Sequence, residues 1–340
     1  MTVAHRLGTY EVAFLEPAEA ERKLPGDALI VTDENVWAAW GKTFGKGRRV
    51  LVLPSGESTK SLSHFERCLK WLAEEGADRG ATLVALGGGV IGDLAGFVAS
   101  TYMRGIRYIQ VPTTLVAQVD SSVGGKVAVD LPEGKNLVGA FYPPEEVLIC
   151  PEVLLTLPWR EFANGMAEVW KYGFILDADL VRALRHLRLT PQSAMLESVI
   201  RRCIQLKIEV VEQDESDTSG LRAVLNFGHT VGHALEKVLK YESLLHGEAV
   251  AIGMVAESKL GERLGVTARG TTEDITACLQ LDGLPVTHDS LGLAETVGAM
   301  YADKKAEGGQ LAFSLLTRIG ECKLVKDVPR ADVEAVMQAL

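Results

Sequence analysis

The stretch ATLVALGGGVIGDLAGFVAS, residues 81–100, limits what this chain can fold into more than any other. A run of strand-forming apolar residues meets three glycines and passes at once into a helix-compatible segment. Strand, glycine turn and helix in that order open a βαβ unit, which calls for a parallel sheet covered by helices. Gly87, Gly89 and Gly92 satisfy G-x-G-x-x-G. Glycines let a phosphate approach the backbone, and the helix that follows offers free N–H groups and the positive end of its dipole. The usual dinucleotide fingerprint also wants a carboxylate about 20 residues further on to hold a ribose. Pro112 stands there, and Asp93 directly follows the last glycine instead. The segment is therefore either part of a different dinucleotide fold or only a tight turn.

The rest of the first half repeats the pattern. Residues 27–34, 48–54, 81–89, 106–112 and 146–150 are short runs rich in Val, Ile and Leu bounded by Gly, Pro or Asp, as buried parallel strands should be. Helices are expected between them. The clearest spans 60–75, where Leu62, Phe65, Leu69 and Leu72 form one stripe and Gly76 follows as a stop. Beyond residue 158 the period changes: 161–176, 192–213, 228–240, 247–264 and 272–281 read as helices, and strand-like text returns only at 311–325. The expected architecture is an α/β N-terminal nucleotide-binding domain with a mostly parallel sheet (1–158), followed by a mainly α-helical metal-binding domain (159–340). With no repeat, low-complexity tract or flexible linker, the two are expected to pack around a shared cleft, where ligand sites are commonest.

Charge decides what kind of ligand such a chain can take. A net charge of −10 and a pI near 5.3 argue against a nucleic-acid or anionic membrane surface. An anionic ligand must then be caught by a local cluster of Lys and Arg. The five cysteines are odd in number, widely spaced and without a CxxC pair, as expected of reduced thiols in a cytoplasmic protein. No apolar run approaches the roughly 20 residues needed to span a bilayer, and the N-terminus has no signal-peptide pattern.

Four groups of residues could carry chemistry. Asp33 and Asn35 in TDEN, and Glu57 and Lys60 in PSGESTK, fall at the carboxyl ends of expected strands, where open α/β sheets bind ligands; Glu57 could take ribose hydroxyls. Any one of them alone is ordinarily a solvated loop residue. In 111–136 small hydroxyls and glycines surround Lys126, Lys135 and Asn136, and with Arg104 these supply the anion trap that the overall charge demands. Glu168 and Lys171 lie three apart on one helical face, by default a structural ion pair worth a few tenths of a kcal/mol. With His229 and His246, however, Glu168 forms a two-histidine, one-carboxylate set that suits a divalent ion such as zinc with a position left open for substrate. His233 faces the same way as His229 one turn later, as a fourth ligand or a proton carrier.

Eight ordered motifs between about 33 and 320 make the chain similar to the 3-dehydroquinate synthase family: TDEN, GExxK at 56–60, GGGVIGDLAGFVA, VPTTLVAQVDSSVGGK, GKNLVGAFY, NGMAEVWKYG, GLRAVLNFGHTVGHALE and HGEAVAIGM. The resemblance implies zinc, or cobalt, on Glu168, His229 and His246, with His233 a polar partner at the reacting hydroxyl rather than a ligand. It implies NAD on Asp33, Asn35, Glu57, Lys60, the Gly88–Gly89 turn, Asp93, Thr113 and Thr114, with Lys126, Lys135 and Thr156 nearby. Substrate phosphate would meet Lys126, Asn136, Lys304 or Lys305, and Arg104 reaching in from a second subunit of a homodimer. Asp120, Lys171, Lys207, Arg222 and Asn226 would hold the sugar hydroxyls and carboxylate.

The chemistry implied is the second step of the shikimate pathway. In that family 3-deoxy-D-arabino-heptulosonate 7-phosphate is oxidised at one secondary alcohol by bound NAD, with zinc acidifying that alcohol. The new ketone acidifies the neighbouring C–H, phosphate leaves with its own oxygen acting as base, the hydride returns, and the opened enol pyranose closes by an aldol step. The chain departs from the family pattern at Asp130, Pro144 and Trp170, where Asn, Gln and Ile are expected. Asp130 and Pro144 flank the substrate-side lysines and bear on substrate choice. Sister sugar-phosphate cyclases are one alternative, although Arg222 and Asn226 suit a substrate carboxylate. A metal-dependent alcohol or glycerol dehydrogenase is another, and would release NADH without needing the anion trap. A non-catalytic nucleotide-sensing module would leave both the metal set and the anion cluster idle.

Overall fold

A computed structural model describes residues 1–5, 8–214, 220–241, 243–288, 293–303 and 311–340. They form two compact units, residues 1–158 with 191–204, and residues 159–190 with 205–340.

The first unit begins with β1 (Thr2–His5), β2 (Gly8–Phe14), α1 (Pro17–Lys23), β3 (Leu29–Asp33), α2 (Glu34–Phe44) and β4 (Arg49–Leu53). It continues through α3 (Leu62–Glu74), β5 (Thr82–Gly87), α4 (Gly89–Thr101), β6 (Arg107–Pro112), β7 (Lys126–Leu131), β8 (Gly134–Phe141) and β9 (Glu146–Ile149). Seven strands form one sheet in the order β1-β2-β9-β6-β5-β3-β4. All its pairs are parallel except β1 with β2 at one edge. Alternation along the strands explains its two covered faces. Leu29, Val31, Leu83 and Ala85 join Leu72, Leu94 and Phe97 in one core, while Ile30, Val84 and Leu86 join Phe44 and Leu148 in another. All five expected strands lie in this sheet. The β1–β2 edge pair was not legible in advance, and neither was the antiparallel β7–β8 hairpin, which places Lys126, Lys135 and Asn136 on strands.

The second unit contains α5 (Trp159–Leu176) and α6 (Ala178–His186), and α7 (Leu196–Gln213) contributes residues to both units. Then follow α8 (His229–Val238), α9 (His246–Arg263), α10 (Thr271–Leu281), α11 (Leu293–Asp303), β10 (Leu311–Arg318), β11 (Glu321–Val328) and α12 (Arg330–Gln338). The helices expected from periodicity are present within a few residues of their expected ends, and the strand-like text is the antiparallel β10–β11 hairpin. α8 and α9 pack Val231, Leu235, Ile252 and Ala256 against Leu311, Phe313 and Leu315. The hairpin thus backs the two helices that start with His229 and His246. Among the described residues no helix is long and apolar enough to cross a membrane.

Candidate metal centre and nucleotide site

Three helices of the second unit each deliver one donor. Glu168 is fully buried in the middle of α5, His229 is the first residue of α8, and His246 is the first of α9. The Nε2 atoms of His229 and His246 each lie 3.5 Å from the same Glu168 oxygen, Oε1. One ligand atom from each residue falls within 4.8 Å of the others. Two imidazole nitrogens and a carboxylate oxygen, converging with only His246 partly exposed, fit zinc or cobalt with a coordination position to spare. The other carboxylate oxygen, Glu168 Oε2, pairs with the buried ammonium of Lys171 one turn along α5. Burial, reinforced by that ammonium, pushes His229 down to about 3. Burial also works against a charge on His246, but its hydrogen bonds to the Glu168 and Glu236 carboxylates outweigh it and carry that imidazole up to about 10.

The helix starts that carry the histidines are fixed by groups without obvious sequence signals. The Glu257 carboxylate on α9, itself fully buried, accepts N–H groups from Gly228 at 2.8 Å and Val231 at 3.2 Å, so it caps α8 on either side of His229. Asn164, one turn before Glu168 on α5, accepts the Gly247 N–H through Oδ1 and tethers the start of α9 to α5. At Gly247 a Cβ would stand 2.0 Å from the Asn164 carbonyl oxygen, so only glycine fits. Glu248 accepts the Leu245 N–H at 2.8 Å and binds Arg160 through both oxygens, at 2.7 and 2.8 Å. His233 is exposed one turn after His229, with its ring centroid 5.2 Å from the His229 ring and 5.9 Å from that of His246. Lys207 is buried on α7, whereas buried Arg222 and exposed Asn226 share the 3-10 turn before α8.

The first unit gathers a second polar cluster. Lys60 Nζ donates to Asp93 Oδ2 and Asn136 Oδ1, each at 2.5 Å, and Lys135 pairs with Glu57 at 3.2 Å. Burial opposes the Lys60 charge, but the Asp93 and Glu57 carboxylates prevail and hold its pKa above the usual value. Asn136 has a left-handed φ of 58°, and its N–H is held at 2.8 Å by Asp130 Oδ1. The Asp130 N–H in turn donates to the Lys60 carbonyl at 2.8 Å. At the glycine turn, a Cβ on Gly88 would meet Thr114 Cγ2 at 2.9 Å and one on Gly89 would meet Ser121 Oγ at 3.1 Å. Thr113 Oγ1 is buried there without a hydrogen-bond partner among the described residues, as a ligand-facing hydroxyl would be.

Other expected contacts already have structural duties. Asp33 caps α2 by accepting Asn35 N–H at 2.9 Å and Val36 N–H at 3.0 Å, while Thr156 Oγ1 accepts from Trp40 Nε1 at 2.9 Å. Asn35 is exposed on α2. Asp120 lies in a π-helical turn over Ala117–Ser121, and Lys126 opens β7 with its ammonium 5.8 Å over the Phe141 ring. Arg104 is exposed at the end of a 3-10 turn. Lys304 and Lys305 lie outside the described residues.

Known proteins match along the length of the chain. The family model of the 3-dehydroquinate synthase N-terminal part matches residues 50–164, and that of the C-terminal part matches 165–306. A 3-dehydroquinate synthase of Acidithiobacillus ferrooxidans is 44% identical over 324 residues, covering 92% of this chain and 89% of that protein. Among solved structures, the 2-epi-5-epi-valiolone synthase of Streptomyces hygroscopicus, with NAD+ and Zn2+ bound, superposes with a TM-score of 0.89 at 27% identity, covering 99% of this chain and 98% of that one. A 2-deoxy-scyllo-inosose synthase complexed with carbaglucose-6-phosphate, NAD+ and Co2+ gives 0.87 at 27% identity, over 100% and 99% of the two chains. With both halves matched and identity that high over nearly the whole length, the chain belongs to the 3-dehydroquinate synthase family.

Proposed function

We propose that this enzyme converts 3-deoxy-D-arabino-heptulosonate 7-phosphate to 3-dehydroquinate and inorganic phosphate. This is a redox-neutral carbon–oxygen lyase reaction on the way to chorismate and the aromatic amino acids. The observation that carries the reading is the approach of two histidine Nε2 atoms to one Glu168 oxygen, 3.5 Å each, beside a buried Lys171. When bound, NAD supplies a reversible hydride acceptor, and zinc or cobalt held by Glu168, His229 and His246 supplies Lewis acidity at the reacting hydroxyl.

The protein's own groups then orient and stabilise. Lys171 places positive charge where negative charge develops on the substrate oxygen. His233, exposed one turn from His229, exchanges the proton of that hydroxyl. Lys207, Arg222 and Asn226 hold the carboxylate and hydroxyls, with Asp120 as a further hydroxyl partner. The α/β unit takes NAD on Asp33, Asn35, Glu57, Lys60, Gly88, Gly89, Asp93, Thr113 and Thr114, with Lys135 and Thr156 at its margin. Lys126 and Asn136 take the phosphate, joined by Lys304 or Lys305. Because the departing phosphate removes the C–H proton itself, these cations need only hold it in the eliminating geometry.

Arg104 completes the phosphate site from a second copy, so the working form is a cytoplasmic homodimer. The consecutive left-handed φ values of Met103 and Arg104, 52° and 68°, support this, because such strain persists where a side chain must be aimed. The test follows phosphate release from this substrate with catalytic NAD and zinc while NADH absorbance is monitored. Phosphate release with no net NADH, abolished by a chelator, is expected. Stoichiometric NADH, or no phosphate from metal-loaded protein, would overturn the assignment.

A further inference from the structure

We propose that Glu236 is the positioning carboxylate of the metal centre: it accepts the Nδ1 proton of His246 and thereby fixes the tautomer that turns Nε2 towards Glu168. The inference rests on the metal-centre reading above. The His246 ring is strung between two carboxylates, with Nε2 3.5 Å from Glu168 Oε1 and Nδ1 3.4 Å from Glu236 Oε2. A metal on His246 would displace one of its two ring protons, and the neutral imidazole left has one N–H and one lone pair, of which only the lone pair can ligate. An ionised carboxylate only accepts, so Glu236 draws the proton to Nδ1 and leaves the lone pair on the nitrogen that faces Glu168. His229 is oriented the same way by a weaker acceptor: its Nδ1 lies 3.2 Å from the Phe227 carbonyl while Nε2 faces Glu168. A carboxylate behind a ligating histidine also raises the basicity of the ligand nitrogen.

The placement of Glu236 explains how two helices act as one clamp. It follows His229 by seven residues, two turns along α8 on the same face. One side of α8 therefore supplies a ligand of its own and steadies the ligand that α9 supplies. Glu236 is only 3% exposed, so its alignment is not left to solvent.

A competing role exists, because ligand atoms of His233, Glu236 and His246 also lie within 4.8 Å of one another and could hold an ion. An ion there would take the Nδ1 lone pair of His246. With Nε2 ligating as well, His246 would have to lose its ring proton and bridge two cations as an imidazolate. The positioning role requires no such deprotonation.

The experiment measures zinc affinity and stoichiometry of metal-stripped protein by chelator competition, with apo-protein Tm and NAD affinity recorded alongside. It compares the wild type, His229→Ala, Glu236→Ala and Glu236→Gln. Glu236→Ala is expected to weaken zinc binding about 10- to 100-fold. Glu236→Gln, which keeps an oxygen acceptor, is expected to recover most of that loss, with apo Tm and NAD affinity close to wild type in both variants. Wild-type zinc affinity in Glu236→Ala would overturn the proposal. So would a loss that tracks apo Tm and that Gln does not rescue, or two zincs in the wild type and one in Glu236→Ala. If the wild type bound zinc no better than His229→Ala, the metal-centre reading itself would fall and this inference with it.

Discussion

Gly253 of α9 lies so close to Gly228, the N-cap residue just before α8, that a Cβ at position 253 would stand 1.9 Å from the Gly228 carbonyl oxygen. A Cβ on Gly232 would likewise meet the Val250 Cα at 3.1 Å, so the two helices touch backbone to backbone. That contact sets the distance between the helix starts bearing His229 and His246. Gly253→Ala should push the helices apart, destabilising the protein by about 1–3 kcal/mol as overpacking does. It should also lower zinc retention during dialysis. Denaturant unfolding and metal content check both effects, and an Ala variant with wild-type values in each would show that this contact does not set the metal geometry.

Asp130 replaces the asparagine that the family pattern leads one to expect, yet its observed contact needs only an oxygen acceptor. Asp130 Oδ1 holds the Asn136 N–H at 2.8 Å and keeps that residue at φ 58°, from which its side chain reaches Lys60. Asp130→Ala should release Asn136 and weaken NAD or phosphate binding several-fold, in line with about 1 kcal/mol for one hydrogen bond, here an exposed one. Asp130→Asn should stay within about twofold of wild type, because it retains the acceptor. Titration calorimetry with NAD and steady-state KM decide the matter. Asparagine behaving as badly as alanine would make the charge, not the hydrogen bond, the working feature.

The second departure, Trp170, has a clear structural partner. Its indole Nε1 donates to Asp282 Oδ2 at 2.6 Å, and the two residues are 1% and 4% exposed. Burial raises the Asp282 pKa above its ordinary 3.8, and the Trp170 hydrogen bond and Arg188 only partly offset this. The native state therefore holds the proton more tightly than the unfolded chain. Stability from this group is present at pH below 3.8 and falls as pH rises from there through the folded-state pKa. Asp282→Asn keeps an acceptor without a charge, so its unfolding free energy relative to wild type should improve between pH 4 and pH 7. A gap that is constant or narrows over that range would contradict the burial argument.

Sequence patterns revealed the elements whose burial is uniform. β3, β5 and β6 are covered on both faces and read as mostly apolar runs, broken in β6 by Arg107 and Gln110, and α5, α8 and α9 follow from their apolar periodicity. The β7–β8 hairpin was hidden because the residues that give it chemistry, Lys126, Lys135 and Asn136, interrupt strand periodicity and leave β8 half exposed. Glu168, His229 and His246 could be named from residue type and helix position. Their convergence could not, since it depends on α8 and α9 meeting at glycines and on Glu257, which caps Gly228 from 29 residues away. No periodic signal marks a side chain whose role is to accept another helix's N–H. Glu236, Asn164 and Asp282 were missed for the same reason.

Removing a ligand separates the site from the scaffold. The start of α9 is anchored by Asn164 to Gly247, by Glu248 to Leu245, and by the two-point Arg160–Glu248 pair, none of which uses the His246 side chain. His246→Ala should therefore keep wild-type circular dichroism and cooperative unfolding while losing bound zinc and phosphate-releasing activity together. Chelation of the wild-type enzyme should give the same phenotype, reversible on adding zinc or cobalt. Full zinc occupancy in His246→Ala would remove this residue from the ligand set. Collapse of the fold on chelation would instead mean that the ion, rather than these backbone anchors, holds α8 and α9 in place.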